Sequence, residues 1–382
     1  MKKYKDILSF FSVFLSGLLL IYTFLLIPPK EPEQANVLVD GVKGKIYDFS
    51  EELVNRFNIP NNNQSDITPK ALEKAYLGGF PVGFKLYADG VVIVDTEAVD
   101  TEKGMVDTAK KAGLMIGDVI KEINGNAVTS NNQVSNIIEQ SNGAKISLKI
   151  LRNGEFFNVN FNTEFSVSEG KYKAGIWIRD SSAGIGTVTF CTQKGYFASL
   201  GHAVCDIDTK QIIPILQGET TDVSIVNYTR GKSGMAGELC GYLESEKTGN
   251  VFHNSELGVY GNFNTLPSTP LVEIAPAEVV QTGDATIFTT LEDGKIQEYK
   301  IQITGIDKKS TENKHLVIRV TDDALINKTG GIIQGMSGSP IIQNGKLVGA
   351  VTHVFLNDPT GGYGIFAETM LEKVHLISNE TE

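Results

Sequence analysis

From Lys171 onward the chain is a succession of short apolar, β-branched runs separated by glycine-rich turns, at residues 174–178, 186–190, 196–200, 212–216, 223–228, 285–290, 299–306, 316–320, 340–343 and 347–353. Helical periodicity is nearly absent until about 367–377. Many short strands over about 200 residues imply a closed all-β architecture, because open sheet edges are avoided. Two barrels of about six strands suit that length, with a single large sandwich as the alternative.

The whole chain has 382 residues, a length for two to three domains, with 41% hydrophobic and 21% charged residues as in ordinary globular protein. Its formal charge of −11 argues against a nucleic-acid binder, which needs a basic surface to displace counterions. At the N-terminus Lys2, Lys3 and Lys5 precede an uncharged apolar run of about 21 residues, 7–27, long enough to cross a bilayer. Leu25-Leu26-Ile27-Pro28-Pro29 offers no small-x-small cleavage site, so an uncleaved signal anchor is expected over 1–29, with the rest of the chain outside the cytoplasm. Residues 30–77 read as a polar stalk with one short helix at 47–56. Cys191, Cys205 and Cys240 allow at most one disulfide and form no metal-ligand doublet; no metal or other cofactor is expected.

Residues 78–163 have a tighter pattern. The runs 83–87 and 91–94 flank Asp89-Gly90 and predict a hairpin. A short helix ending at Gly113, a strand leading to Asn124-Gly125, a helix at 131–140, and strands 145–152 and 155–161 around Asn153-Gly154 complete the unit. Ala112-Gly113-Leu114-Met115-Ile116-Gly117-Asp118-Val119-Ile120-Lys121-Glu122-Ile123-Asn124-Gly125 resembles the signature stretch of PDZ domains associated with bacterial proteases. The resemblance implies that an extended peptide adds as a strand beside a sheet edge near a glycine-containing loop. Phe80-Pro81-Val82-Gly83-Phe84 occupies that loop's place, making Val82, Gly83 and Phe84 the expected peptide-binding residues. The candidate ligands are a free carboxyl terminus, an internal segment, and this protein's own tail or stalk.

The sharpest chemical signal is Gly335-Met336-Ser337-Gly338-Ser339-Pro340 before a strand, the turn Asn344-Gly345 and a second strand. Trypsin-like peptidases carry such a G-x-S-G-x-P loop. Glycines permit the tight turn that exposes the serine oxygen, and the N–H groups of Gly335 and Ser337 can converge on a developing oxyanion. A plain glycine-serine turn is the competing reading. Serine needs a base, and of five histidines His202 stands just past an apolar strand, next to Gly201 and 135 residues before Ser337. That separation suits opposite barrels facing one cleft. His353 is placed on the specificity side, while His253, His315 and His375 fit less well. Asp206, Asp222, Asp284 and Asp322 are candidates for the acid that would orient the ring, and Asp322 serves equally well as a helix cap.

Taken together, the anchor, the PDZ region, Gly201-His202-Ala203 and Thr329-Gly330-Gly331-Ile332-Ile333-Gln334-Gly335-Met336-Ser337-Gly338-Ser339-Pro340 resemble the stage IV sporulation protein B (SpoIVB) peptidases of endospore-forming bacteria. The resemblance implies a chymotrypsin-like double β-barrel peptidase domain over 170–382, preceded by the PDZ-like α+β domain and the transmembrane helix. It implies catalysis by His202 and Ser337 with Asp322, a Ser–His dyad being the alternative. It also implies release into the forespore intermembrane space, self-cleavage near the N-terminus, which would qualify the uncleaved anchor, and cleavage of a membrane-bound regulatory subunit of an intramembrane protease complex, leading to sigma-factor activation. Other readings are an inactive protease-like scaffold whose PDZ domain binds a partner, a cysteine hydrolase using Cys205, and an α/β-hydrolase using Ser337, Asp358 and His375. The last lacks alternating helices and strands, and Cys205 lacks a glycine-formed oxyanion loop.

Overall fold

A computed structural model of the chain describes residues 72–292 and 295–381. The expected anchor lies outside them, as does the expected stalk up to its last six residues. Among the described residues no helix is long and apolar enough to cross a membrane.

The chain begins with strands β1 (Lys74–Leu77) and β2 (Pro81–Thr96). Next come β3 (Val99–Thr101), β4 (Gly104–Val106), α1 (Thr108–Lys111), β5 (Val119–Ile123), β6 (Asn126–Ala127) and α2 (Asn131–Gln140). They are followed by β7 (Lys145–Arg152), β8 (Glu155–Asn162), β9 (Glu164–Ser166), β10 (Lys171–Lys173) and the long β11 (Ile176–Thr192). Strands β12 (Tyr196–Ser199), β13 (Ile215–Thr229), β14 (Glu238–Ser255), β15 (Gly258–Phe263) and β16 (Leu271–Glu273) lead into the second half. That half holds β17 (Gly283–Thr290), β18 (Ile296–Ile306), β19 (Leu316–Val320), α3 (Asp323–Thr329), β20 (Pro340–Gln343), β21 (Lys346–Val354), β22 (Gly361–Phe366) and α4 (Ala367–Thr381).

Strands β17, β18, β19, β22, β21 and β20 close a six-stranded barrel. Alternation along β18 sends Tyr299, Ile301 and Ile303 inward, where they meet Ile287, Leu316, Ile318 and Ile341. A second ring closes in the first half: β2 pairs with β11 and β13, β11 with β12, β12 with β15, β15 with β14, and β14 with β13. Its core holds Val82, Phe84, Leu86, Val188, Phe197 and Val259, with Phe197 stacked on Phe263 at 4.6 Å between ring centroids. Helix α4 covers the two rings together. Its Met370, Val374 and Ile377 are buried with Phe190 and Tyr260 of the first ring and Leu347, Ala350 and Ile365 of the second.

Two expectations change here. Residues 83–87 and 91–94 do not fold back on each other; they are halves of one strand, β2, that runs through Asp89-Gly90. Both halves are apolar and each finds a partner of its own, the first half β13 and the second β5. Gly90 has φ +113°, and a Cβ there would stand 2.7 Å from the carbonyl oxygen of Ile120, so glycine serves a close strand approach and not a reversal. Consequently the PDZ region does not precede the first ring. It is inserted into it, between the barrel halves of β2 and β11, and residues 74–88 belong to the barrel side of the boundary expected at 78.

The insert has its own core of Val91, Ile93, Ile120, Ile123, Val134, Ile138, Ile146, Leu148 and Ile150. Helix α2 occupies the span expected from its periodicity and starts in a capping box of Ser130 and Gln133. The fully buried Asp118 is neutralised by Arg152, with contacts of 2.6 and 2.7 Å, and also accepts the Met115 N–H.

Candidate active site

The nucleophile loop starts where α3 stops. Gly330 ends the helix in the left-handed conformation, at φ +80°, and residues 331–339 then return the chain to β20. Strand β11 of the other ring clamps this loop. Thr187 Oγ1 donates to the Gly335 carbonyl at 2.7 Å, Thr187 N–H to the Ser337 carbonyl at 3.0 Å, and Thr189 Oγ1 to the Gly338 carbonyl at 2.8 Å. Gly338 N–H donates to Val351 O at 2.7 Å. A Cβ at Gly338, whose φ is +94°, would lie 2.0 Å from Thr187 O, so this approach of two backbones requires glycine. With the loop held this way, the N–H groups of Gly335 and Ser337 donate to no other group among the described residues. They remain unengaged donors on the loop where the G-x-S-G spacing expects an oxyanion to be held.

His202 follows β12 through two left-handed residues, Leu200 at φ +65° and Gly201 at φ +67°. A Cβ on Gly201 would stand 2.7 Å from Thr352 Cγ2 of the other ring. Asn313 fastens the turn by donating to Gly201 O at 2.9 Å and Glu256 O at 2.8 Å. His202 Nδ1 lies 2.8 Å from Ala203 O. A carbonyl can only accept, so Nδ1 carries the hydrogen and Nε2 keeps its lone pair, the tautomer a general base needs. Burial pushes the ring below the ordinary histidine value of 6.5, outweighing the carbonyl's opposite effect, so it is neutral at physiological pH. The His353 ring sits 5.1 Å from it, centroid to centroid, and is held near pKa 4 by burial and by the neighbouring histidine.

His202 and Ser337 line one cavity of about 510 Å³, walled by Ile185 and Leu200 from the first ring and by Ile332, Gly335 and Thr352–Val354 from the second. Ser337 Oγ donates to Thr352 O at 2.8 Å and not to the imidazole. Turning about the Cα–Cβ bond would free it from Thr352 O, and catalytic hydrogen bonds are often unmade before substrate binds.

The structure does not bring Asp322 to this site. Its Oδ1 accepts the N–H groups of Ala324 and Leu325 at 3.0 and 3.2 Å, capping α3, and Oδ2 accepts Lys300 N–H at 3.1 Å. No carboxylate among the described residues bonds His202. Asp206 pairs with Arg179, Asp284 accepts from Gln302, and Asp358 binds Arg319 and Thr360. His315 is buried against Phe366, and His375 pairs with Glu73 at 2.9 Å. All three cysteines are free, and no metal-holding cluster occurs among the described residues. Thr187, Thr189, Thr352 and Asn313 were missed from sequence. The alternation of threonines with buried Val188 and Phe190 was the one available hint, since polar side chains on a buried strand need partners.

Val82, Gly83 and Phe84 cannot take a peptide strand. Gly83 and Phe84 are paired on both edges, with β11 and β13; Val82 pairs with Gly186 of β11 and is 2% exposed. The outer edge of the PDZ sheet is instead Ile176–Arg179 at the start of β11. One side pairs with β2, no strand pairs with the other among the described residues, and α2 lies beside it, its Asn131 N–H bonded to Asp180. Just before it stands Gly175 at φ +67°, where a Cβ would lie 2.4 Å from Glu97 O.

Residues 170–371 match the SpoIVB peptidase S55 family. The chain belongs to that family. As such it is a serine peptidase, and a PDZ domain match at 108–152 falls within the insert. The family match begins at 170, after β1 and β2, although β2 completes the first ring. Among solved structures, the PDZ domain of an SdrC-like protein from Listeria monocytogenes is 22% identical, covering 24% of this chain and 87% of its own, with a TM-score of 0.20. The active form of the Rv3671c protease from M. tuberculosis is 17% identical over 50% of this chain and 74% of its own, with a TM-score of 0.32. The HtrA-type protease AlgW with a decapeptide is 13% identical over 53% and 55%, with a TM-score of 0.33. No curated protein matches the chain.

Proposed function

We propose that this peptidase is a membrane-tethered endopeptidase acting outside the cytoplasm, in which His202 activates Ser337 for acyl transfer. One observation carries the reading: a neutral imidazole with a free Nε2 and a serine flanked by two unengaged N–H groups line the same cavity. In the reaction Ser337 Oγ leaves Thr352 O, gives its proton to His202 Nε2 and attacks the substrate carbonyl. The Gly335 and Ser337 N–H groups hold the oxyanion, and His202 passes the proton to the leaving amine. Water then releases the acyl group by the same steps in reverse order. Ala203 O stabilises the imidazolium through Nδ1, in the place where Asp322 was expected.

The basic-flanked apolar run at 7–27 supports the tether and the extracytoplasmic side. Family membership supports a role in sporulation signalling, with self-cleavage and a membrane-bound regulatory protein as substrate. The PDZ insert would receive a peptide along the free edge at Ile176–Arg179.

The test uses the full chain in detergent as wild type, Ser337→Ala and His202→Ala, followed by gel over time with and without a candidate membrane-protein ectodomain. Cleavage by wild type alone supports the proposal. Equal cleavage by Ser337→Ala, or intact substrate beside a folded wild type, overturns it.

A further inference from the structure

The cavity beside Ser337 also specifies what it accepts. Once Ser337 is bonded to the substrate carbonyl and the oxygen faces Gly335 and Ser337 N–H, the side chain on that carbonyl falls against the loop 332–335 and the strand 352–354. His202 must face the leaving amine, so Ile185 and Leu200 border the opposite half. Besides Ile185 and Leu200 the cavity is lined by Ile332, Ile333, Gln334, Val354, Leu356 and Ala236, and no Asp, Glu, Lys or Arg lines it. Ala236 reaches it because β14 begins alongside the nucleophile loop: Leu239 N–H donates to Gln334 O, and Gln334 N–H to Gly237 O, both at 2.8 Å. The wall is also close-packed. Ile332 Cδ1 packs against Gly362, where a Cβ would stand 2.8 Å from it. His353, the one ionisable side chain there besides His202, is uncharged at neutral pH.

Resting on the peptidase reading above, we infer that the enzyme cleaves after an uncharged, apolar residue of moderate size, with Ile332, Val354 and Leu356 setting that preference. A charged side chain would lose its hydration in this half of the cavity with no partner to replace it.

The experiment labels the full-length protein with phosphonate probes that react with an activated serine. One probe carries no side chain, and a matched peptidyl series differs only at the residue beside the phosphorus: leucine, valine, lysine or aspartate. The leucyl and valyl probes should label Ser337 at least ~10-fold faster than the lysyl and aspartyl ones. Leu356→Glu, at a position 60% exposed and so tolerant of change, should narrow the gap by speeding the lysyl probe. If the plain probe labels Ser337 while lysyl or aspartyl probes match leucyl, the specificity inference falls and the peptidase reading stands. If the plain probe leaves Ser337 unlabelled, both fall.

Discussion

The Asp322 carboxylate accepts two backbone N–H groups at the entrance to α3 and a third from Lys300 of β18, and this defines what its removal should do. Asp322→Ala deletes an N-cap and should cost about 1 kcal/mol of stability by denaturant melt, while Asp322→Asn, still an acceptor, should cost less. A rate loss beyond ~10³-fold in Asp322→Ala with unchanged stability would instead put the carboxylate in the chemistry. The histidines make a second residue-scale prediction. His202 must be neutral to act as base, and burial holds it below 6.5, so kcat/KM should rise with pH along an acidic limb centred below 6.5. A midpoint above 6.5 would require a negative charge beside the ring. Stability has the same direction. The unfolded chain binds protons on these imidazoles before the folded one does, so stability should fall as pH drops through 6.5 toward about 4, the value for His353.

At the scale of elements, β11 joins two jobs in one strand: its first residues edge the PDZ sheet and its later ones hold the nucleophile loop. Thr187→Val preserves shape but leaves the Gly335 carbonyl without its donor. Losing about 1 kcal/mol of loop positioning should lower kcat by roughly five-fold with little change in KM. Equal loss in both would mean substrate binding was hit. The other end of the strand carries Trp177, the chain's single tryptophan, 53% exposed. A peptide adding along Ile176–Arg179 should shift its emission, and Ile178→Pro should abolish the shift by breaking the edge strand. An unchanged spectrum on saturable binding would place the ligand elsewhere.

For the whole molecule, the insertion decides where the peptidase begins. A fragment starting at Gly170, the edge of the family match, lacks β2 and with it Val82, Phe84 and Leu86 from the first core. Each such side chain contributes about 1.5–3 kcal/mol of burial, and the ring would also lose the strand between β11 and β13. The 170–382 fragment should therefore be insoluble or unlabelled by serine probes, whereas a fragment from residue 72 should fold and react. Soluble, reactive protein from 170–382 would show that β2 is dispensable.

Much of this was legible in the residues. Period-two alternation marked β7, β19 and β20 closely, the capping pattern marked α2, and the glycine spacing around Ser337 and Gly201 marked the two sides of the cleft, because these features depend only on local backbone geometry. What the residues could not decide was pairing across distance. The same apolar run serves as one arm of a hairpin or half of a through-going strand, and only the partners β13 and β5 distinguish them for β2. Strands β14, β15 and β22 escaped for the same reason: glycine and polar residues interrupt their alternation, and the ring's neighbours hold them extended. An acid with free backbone donors three residues downstream makes a cap before it makes a triad. Which of these Asp322 does depends on whether the fold carries it to His202, and here it does not.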